Sequence, residues 1–387
     1  MRILHVVPGL RPAAGGPSRA IPALCAALSA SGHQVEIYTF SPRGTHPAES
    51  YRTAVPVRYF ESLGNTLEFP TILFYRELRR VVAGFDIVHL HGVWNPAITL
   101  AAHVCRSRKK SYVLTPMGML RTIALQRRGL KKYLYRRVLD QHTIASAGAV
   151  IAFTRLEANE ASDSGLGGPL QVIPNGMDIA VVENIESGRF IENFPVLRNK
   201  VIVLFLGRLH WSKNLPLQFE AMQSVLRKRP DAMWVLVGPD DGEWANLRKQ
   251  VQDQGLEGRV LWTGLLSQAQ CLQALKDSHV ALLTSRHEGH SMAMNEALAI
   301  GVPIVLTDSV GFDHVRSSGT GLVVAEKPSD ISAAVLRILN EPELARNMRR
   351  AGPALVQEHY TWATVARQHV DLYQQVLETN TQRFTQS

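Results

Sequence analysis

Little in this chain is built for an oxidising compartment or for a bilayer. Its three cysteines, Cys25, Cys105 and Cys271, stand far apart with no C-x-x-C pair. That offers neither a disulfide framework nor a zinc cluster, and a cytoplasmic setting is expected. No apolar run reaches the roughly 18 residues needed to span a bilayer. The opening run Ile3 to Val7 is cut short by Pro8 and Gly9 and reads as a first strand rather than a signal peptide. There is no Asp-x-Asp triplet to hold a divalent ion on a phosphate, so no metal and no cofactor is expected. G-x-G-x-x-G is absent too, which argues against a nicotinamide enzyme. No repeat of 20 to 50 residues and no low-complexity tract occurs.

What is present is the composition of a folded protein, with 45% hydrophobic and 19% charged residues and none of the bias of a disordered chain. At 387 residues the chain is long for one domain and sufficient for two, each burying its own core. The formal net charge of +9 is unevenly placed: residues 1–180 carry 21 basic against 11 acidic side chains, the remainder 21 against 22. Within the first part, residues 106–137 hold eleven Arg and Lys and no acid. Arg128, Lys132 and Arg136 fall at i, i+4 spacing, with Leu130, Leu134 and Val138 on another face, the pattern of a basic amphipathic helix. Three readings fit it. Arg127, Arg128, Lys131, Lys132 and Arg136 meet an anionic membrane surface, or bind a phosphorylated acceptor, or form a solvated face packed by its leucines. Nucleic acid is not expected, because no binding module or base-stacking aromatic array accompanies the charge.

The first unit reads strand, glycine turn, helix, strand: RILHVVPGL, then Ala14-Gly15-Gly16-Pro17, a helical pattern from Ala20 to Ala30, and QVEIYTF. DIVHLHG, SYVLT and Gly148 to Phe153 are short apolar segments of the kind that form buried parallel strands. After VIPNGMD comes an irregular polar stretch from Val182 to Lys200, where the domain boundary is expected. The second half restarts with VIVLFLGRL and continues through AMWVLVG, VLWTG, VALLTS, PIVLT and GLVVA, with helical patterns between them. This predicts an α/β chain of two Rossmann-like, doubly wound parallel-sheet domains, residues 1–180 and 181–360. Such sheets bind ligands beyond the carboxyl ends of their strands, so both halves offer strand ends to a shared cleft.

Three motifs carry chemistry. Glu288-Gly-His-Ser-Met-Ala-Met-Asn-Glu296 follows the strand VALLTS, with Ser291 placed to cap the next helix. A glycine loop running into a helix N-terminus presents unpaired N–H groups and a positive dipole, which favour a diphosphate. A carboxylate suits sugar hydroxyls or a ribose diol. Taken alone, the pattern also fits an acidic loop residue followed by a glutamate on a solvated helix face. The second motif, Gly207-Arg208-Leu-His-Trp-Ser-Lys213-Asn214, sets two cations after the strand VIVLFL, where they could stabilise a leaving diphosphate; a solvated basic turn is the plainer reading. The third, Gly15-Gly16-Pro17, leaves room at the first strand-to-helix turn and is weak by itself. His89 and His91 follow one another along DIVHLH: His89 reads as structural, and His91 fits a structural or a cleft-facing role.

Taken together, Arg208, Lys213, Glu288 and Glu296 on successive strand ends resemble glycosyltransferase family four. So do Gly15-Gly16, Gly32-His33, Asp86 to Gly92, Ile173-Pro174-Asn175-Gly176, Gly301-Val302-Pro303 and Tyr360-Thr361-Trp362. The resemblance covers nearly the whole chain. It implies the two-domain GT-B fold, a final helix (361–387) crossing back to the N-terminal acceptor-binding domain, and a nucleotide diphosphate sugar bound by the C-terminal domain. Arg208 and Lys213 would lie on the phosphates, Glu296 on the ribose and Glu288 on the transferred sugar. Backbone amides of His290, Ser291 and Met292 would meet the diphosphate or sugar, and Gly207, Gly238 and Gly289 belong to the same donor-binding set. Gly15, Gly16, His91 and Met117 would line the acceptor side or the cleft. Retention by front-face attack, with no protein nucleophile, is implied. The expected activity is hexose transfer to a glycan or lipid-linked acceptor in polysaccharide or glycolipid assembly; a nucleotide-sugar epimerase, or a non-catalytic nucleotide-sugar-binding partner, is the alternative on the same scaffold. The chain departs from the family at Met117, where many relatives carry a histidine whose hydrogen bond to the transferred sugar would be lost here, and at His290, where an aromatic is common.

Overall fold

The computed structural model describes residues 1–10, 16–41, 53–63, 70–121, 141–163 and 169–385. Gly15 and the basic run Arg127, Arg128, Lys131, Lys132 and Arg136 lie outside the described residues. The chain forms two compact units: Met1–Gly176 with Trp362–Ser387, and Met177–Thr361.

In the N-terminal unit seven strands form one parallel sheet: β1 (Arg2–Val7), β2 (Gln34–Ser41), β3 (Val57–Glu61), β4 (Ile87–His91), β5 (Tyr112–Thr115), β6 (Ala149–Ala152) and β7 (Leu170–Val172), in the order β3-β2-β1-β4-β5-β6-β7. The inner strands β4, β5 and β6 are buried along their whole length. A strand covered on both faces reads as a continuous apolar run, which is why the sequence marks them. Strands β3 and β7, which the sequence reading passed over, are the two edges and bury few side chains. The helices that matter below are α1 (Gly16–Ala30), α2 (Ile72–Val81) and α3 (Arg155–Asp163).

The C-terminal unit is a second parallel sheet: β8 (Val201–Leu206), β9 (Ala232–Val237), β10 (Val260–Trp262), β11 (Val280–Leu283), β12 (Ile304–Thr307) and β13 (Gly321–Val324), in the order β10-β9-β8-β11-β12-β13. Its helices include α4 (Leu215–Lys228) and α5 (Met292–Ile300). In both sheets the strand order reverses beside the first strand, between β1 and β4 and between β8 and β11, which places a ligand crevice at those carboxyl ends. The stretch read as irregular contains a short helix, Arg189–Asn193, because the Asp277 carboxylate accepts the N–H groups of Gly188, Phe190 and Ile191 at 2.6, 2.9 and 3.3 Å.

The last helix, α6 (Trp362–Thr385), belongs to the N-terminal unit. Val365, Ala366, Leu372, Tyr373 and Val376 share one core with Ile21, Leu24, Cys25 and Leu28 of α1. Two glycines allow the approach: a Cβ on Gly148 would sit 2.4 Å from Val376 Cγ1, and one on Gly176 would sit 2.6 Å from the Trp362 ring. Among the described residues no helix is long and apolar enough to cross a membrane.

Candidate functional site

The site in the C-terminal unit grows from the turn after β8. Gly207 and Gly238 end adjacent strands, and a Cβ on Gly238, at φ +142°, would fall 2.0 Å from the Gly207 carbonyl oxygen. No side chain fits there, so the two strand ends lie as close as backbone permits. Beyond it Asn214 takes a left-handed conformation (φ +54°) and starts α4, with Pro216 in the first turn. A buried ladder fixes this turn. Trp234 Nε1 donates to Gln218 Oε1 and Gln218 Nε2 to Thr284 Oγ1, both at 3.2 Å, and Thr284 Oγ1 donates to the Lys213 carbonyl at 3.2 Å.

That ladder aims Lys213 at Glu288. Their Nζ and Oε2 lie 2.6 Å apart, with the side chains 17% and 14% exposed. Burial works against the Glu288 charge, but Lys213, by charge and hydrogen bond, together with Ser285 and His287, holds the carboxyl below its usual range. The pair is therefore ionised and largely out of water, where a charge acts more strongly than in solvent. Arg208 lies apart from this pair. It is over half exposed, and its guanidinium pairs with Asp241 at 2.7 Å.

Gly289 leads from Glu288 into α5. Ser291 stands at the N-cap position with extended backbone, but its hydroxyl makes no capping bond, contrary to the expectation. The N-terminal end of the helix is thus left to other acceptors, and an anion is the natural one. Glu296, five residues into α5, is 6% exposed, so it is not on a solvated face. The His290 ring is buried and stacks on Phe312 at 4.4 Å and 26°, with Tyr360 at 5.3 Å. It fills an aromatic's place as an aromatic would. Burial drives its pKa down to about 3, against the pull of Glu288, so the ring is neutral. Met292 opens the helix and is half-buried.

In the N-terminal unit Gly16 is exposed at the start of α1, with open space around its Cβ position. His91 is 2% exposed, so it sits in the core at the end of β4. Its Nε2 meets His5 Nδ1 at 2.9 Å. His89 is structural, as expected: Nδ1 meets the Tyr373 hydroxyl and Nε2 the Thr115 hydroxyl, both at 2.7 Å. Register explains the cluster, since β1 and β4 pair with His5 opposite His89 and alternation puts His91 on the same face as His89. His5, His89 and His91 are close enough together to hold a metal ion. Two observations disfavour it. Both nitrogens of His89 are already engaged, and its ring stacks on His91 at 4.0 Å and 28° rather than aiming an in-plane lone pair at a common point. Met117, after β5, is half-buried in a left-handed conformation (φ +61°).

Sequence reasoning missed Asp241, the partner of Arg208, and Arg286, whose guanidinium donates to Asn214 Oδ1 at 2.8 Å and so braces the Lys213 turn from the Glu288 loop. Neither sits in a pattern of its own; each becomes visible only once β8, β9 and β11 are side by side.

Two family models match the chain, Glycosyltransferase Family 4 over residues 14–181 and Glycosyl transferases group 1 over residues 189–354. A GDP-mannose:cellobiosyl-diphosphopolyprenol alpha-mannosyltransferase of Xanthomonas oryzae pv. oryzae is 24% identical over 97% of both chains. A phosphatidyl-myo-inositol mannosyltransferase of Mycobacterium leprae is 26% identical, again over 97% of both chains. Among solved structures, the sucrose-phosphate synthase of Thermosynechococcus elongatus superposes with a TM-score of 0.75 at 20% identity, covering 98% of this chain and all of that one. The Anabaena protein HepE in complex with UDP and glucose superposes with a TM-score of 0.75 at 16% identity, covering 96% and 98%. These two likenesses establish the fold, the two-domain GT-B architecture. With one glycosyltransferase model matching each half, the chain belongs to glycosyltransferase family four and is a glycosyltransferase.

Proposed function

We propose that the chain moves a hexose from a nucleotide diphosphate sugar to a glycan or lipid-linked acceptor, with retention and without a metal, in polysaccharide or glycolipid assembly. The observation that carries this reading is the Lys213–Glu288 pair, 2.6 Å apart, between the turn after β8 and the loop that enters α5. Lys213 and the N-terminus of α5 would take the charge that develops on the leaving diphosphate, with Arg208 turning from Asp241 to join them. Glu288 would accept hydrogen bonds from the sugar, and Glu296 from the ribose. The bond from the anomeric carbon to the phosphate oxygen breaks, the acceptor oxygen bonds the same face, and its proton passes to the departing phosphate. No protein nucleophile is needed. A lipid-borne acceptor is supported by the relatives, whose names specify cellobiosyl-diphosphopolyprenol and phosphatidyl-myo-inositol.

The test is release of nucleotide from UDP-glucose, UDP-N-acetylglucosamine and GDP-mannose in the presence of EDTA. Slow release from one donor, lost in Glu288→Gln and Arg208→Ala, is the expected result. Interconversion of a donor sugar without acceptor would instead show an epimerase, and neither release nor donor binding would show a binding partner.

Peripheral contact with an anionic membrane belongs to the same reading. The basic run around Lys132 suggests it, and α2 supports it. Ile72 and Leu73 are 61% and 68% exposed at its start, and Arg76, Arg79 and Arg80 follow on the same exposed arc. Leu63, 76% exposed, lies just past β3, whose Phe60 packs on Phe74 of α2 at 5.2 Å. The protein should sediment with phosphatidylglycerol vesicles and not with phosphatidylcholine. Added salt, or replacement of Arg128, Lys132 and Arg136 by glutamine, should weaken that binding. Wild type that ignores both vesicle types would sink the membrane reading.

A further inference from the structure

Helix α3 is preceded by Thr154 and carries Glu157 three residues later, the spacing of a capping box. Only half of the box forms. Thr154 Oγ1 accepts the Glu157 N–H at 3.1 Å, but the Glu157 carboxylate does not turn back to the cap amide. It lies 1% exposed, with Oε2 accepting the Phe153 N–H at 2.9 Å and Oε1 the Gly118 N–H at 2.6 Å.

A capping glutamate has no need of burial, and burying a carboxylate is costly unless its oxygens are fully used. Here burial raises the Glu157 pKa, opposed by the Phe153 and Gly118 amides and by Arg121, and reinforced by Glu160. What the burial achieves is a clip between the segments that follow β5 and β6. The β5 segment needs one. Met117 and Gly118 are left-handed in succession, at φ +61° and +79°, a conformation that a methionine holds only when its surroundings impose it. The loop's own backbone bonds, from Met119 N–H to Pro116 and from Arg121 N–H to Gly118, are long at 3.2 and 3.3 Å. A second clip comes one turn further along α3, where Glu160 receives both Nε and an NH2 of the buried Arg121 at 3.3 and 3.1 Å.

We propose that Glu157, with Glu160 behind it, is a positioning residue for the acceptor: it sets the backbone of Met117 and Gly118 at the carboxyl end of β5, and with it how an acceptor hydroxyl is presented. This rests on the glycosyl-transfer reading above. Binding of the bare nucleotide diphosphate, which the same reading gives to the other unit, does not depend on it.

Glu157→Gln tests this, because the amide keeps the shape and one acceptor oxygen but turns an NH2 on one of the two donors. The acceptor KM should rise about tenfold or more, as a small misplacement of a reacting group can cost even more, while the affinity for UDP or GDP alone stays unchanged. Thr154→Ala, which removes the cap and leaves the clip, should lower the melting temperature without moving the acceptor KM. An unchanged acceptor KM in Glu157→Gln overturns the proposal, and so does a parallel fall of nucleotide affinity, transfer and melting temperature, which would mark a purely structural residue. Wild type that transfers to no acceptor would refute the glycosyl-transfer reading instead. Hydrogen exchange then decides the clip by itself: amides from Gly118 to Arg121 should exchange about tenfold faster in Glu157→Gln, as befits loss of a charge-assisted bond, with β4 unchanged. Equal exchange overturns it.

Discussion

Replacing Lys213 with methionine is expected to lower kcat/KM for glycosyl transfer by about a hundred- to a thousandfold, the usual loss when one preorganised electrostatic contact to a developing charge is removed. The same change should destabilise the C-terminal unit by roughly 3–5 kcal/mol, because it leaves a buried carboxylate without its partner. Both follow from one distance and one environment: Nζ to Oε2 at 2.6 Å, with each side chain less than a fifth exposed. Burial already presses Glu288 toward its neutral form, and Lys213 leads the groups that oppose it. A cycle separates the two effects. In Lys213→Met with Glu288→Gln no uncompensated charge remains, so the melting temperature should recover most of its loss while transfer stays impaired. Chemical denaturation and steady-state kinetics on the two single variants and the double variant read this directly. A single variant as stable as wild type would mean that water reaches the pair and that its electrostatics are weaker than its burial implies.

The second large effect is an acid limit on stability. Burial drives His5 down to about 3 and His369 to about 4, and pushes His89 and His91 well below the ordinary 6.5. All four lie in the N-terminal unit. Their folded-state pKa values are lowered, so the stabilisation is complete above pH 6.5. Between 6.5 and the folded values the unfolded chain binds protons that the folded chain refuses, and stability falls as pH falls. The slope is about 1.4 kcal/mol per pH unit for each such histidine. Glu157 opposes this weakly, since its raised pKa lets the folded state take up a proton more readily. Melting curves from pH 8 to 5 should show a steep drop below 6.5, with hydrogen exchange in β1 and β4 rising first. Within the cluster one ring of the His5–His91 pair must donate and the other accept, while His5 Nε2 and His91 Nδ1 have no partner. Leucine at both positions removes the hydrogen-bonded pair whole, which is tolerated far better than removing half of it, and should flatten the slope. A melting temperature that is flat down to pH 5 would refute the argument.

How much of this was legible in the sequence depended on how local the cause is. The inner strands announced themselves because burial on both faces demands an unbroken apolar run, and Lys213, Glu288 and Glu296 because each sits at a fixed offset from such a run. Val57 to Glu61 buries little beyond Phe60 and Leu170 to Val172 nothing fully, so those edge strands left no mark. The histidines of β1 and β4 are in plain view as letters. Their meeting depends on strand register and on Tyr373, 284 residues away from His89. Thr154 and Glu157 have the spacing of a helix cap; that the carboxylate serves Gly118 instead is a fact of tertiary structure. Ser291 shows the reverse, a residue in the right position whose hydroxyl does not cap.

The return of α6 to the first unit also bears on how the protein is made. The C-terminal unit is one uninterrupted stretch, Met177–Thr361, whereas the N-terminal unit is completed by residues from Trp362 onward. During synthesis the first sheet emerges early, yet the apolar face that receives Val365, Tyr373 and Val376 stays uncovered until the second unit has left the ribosome. The half that is translated first is the half that finishes folding last. A chain truncated before Trp362 and released would present that bare face to chaperones while its second unit is already closed.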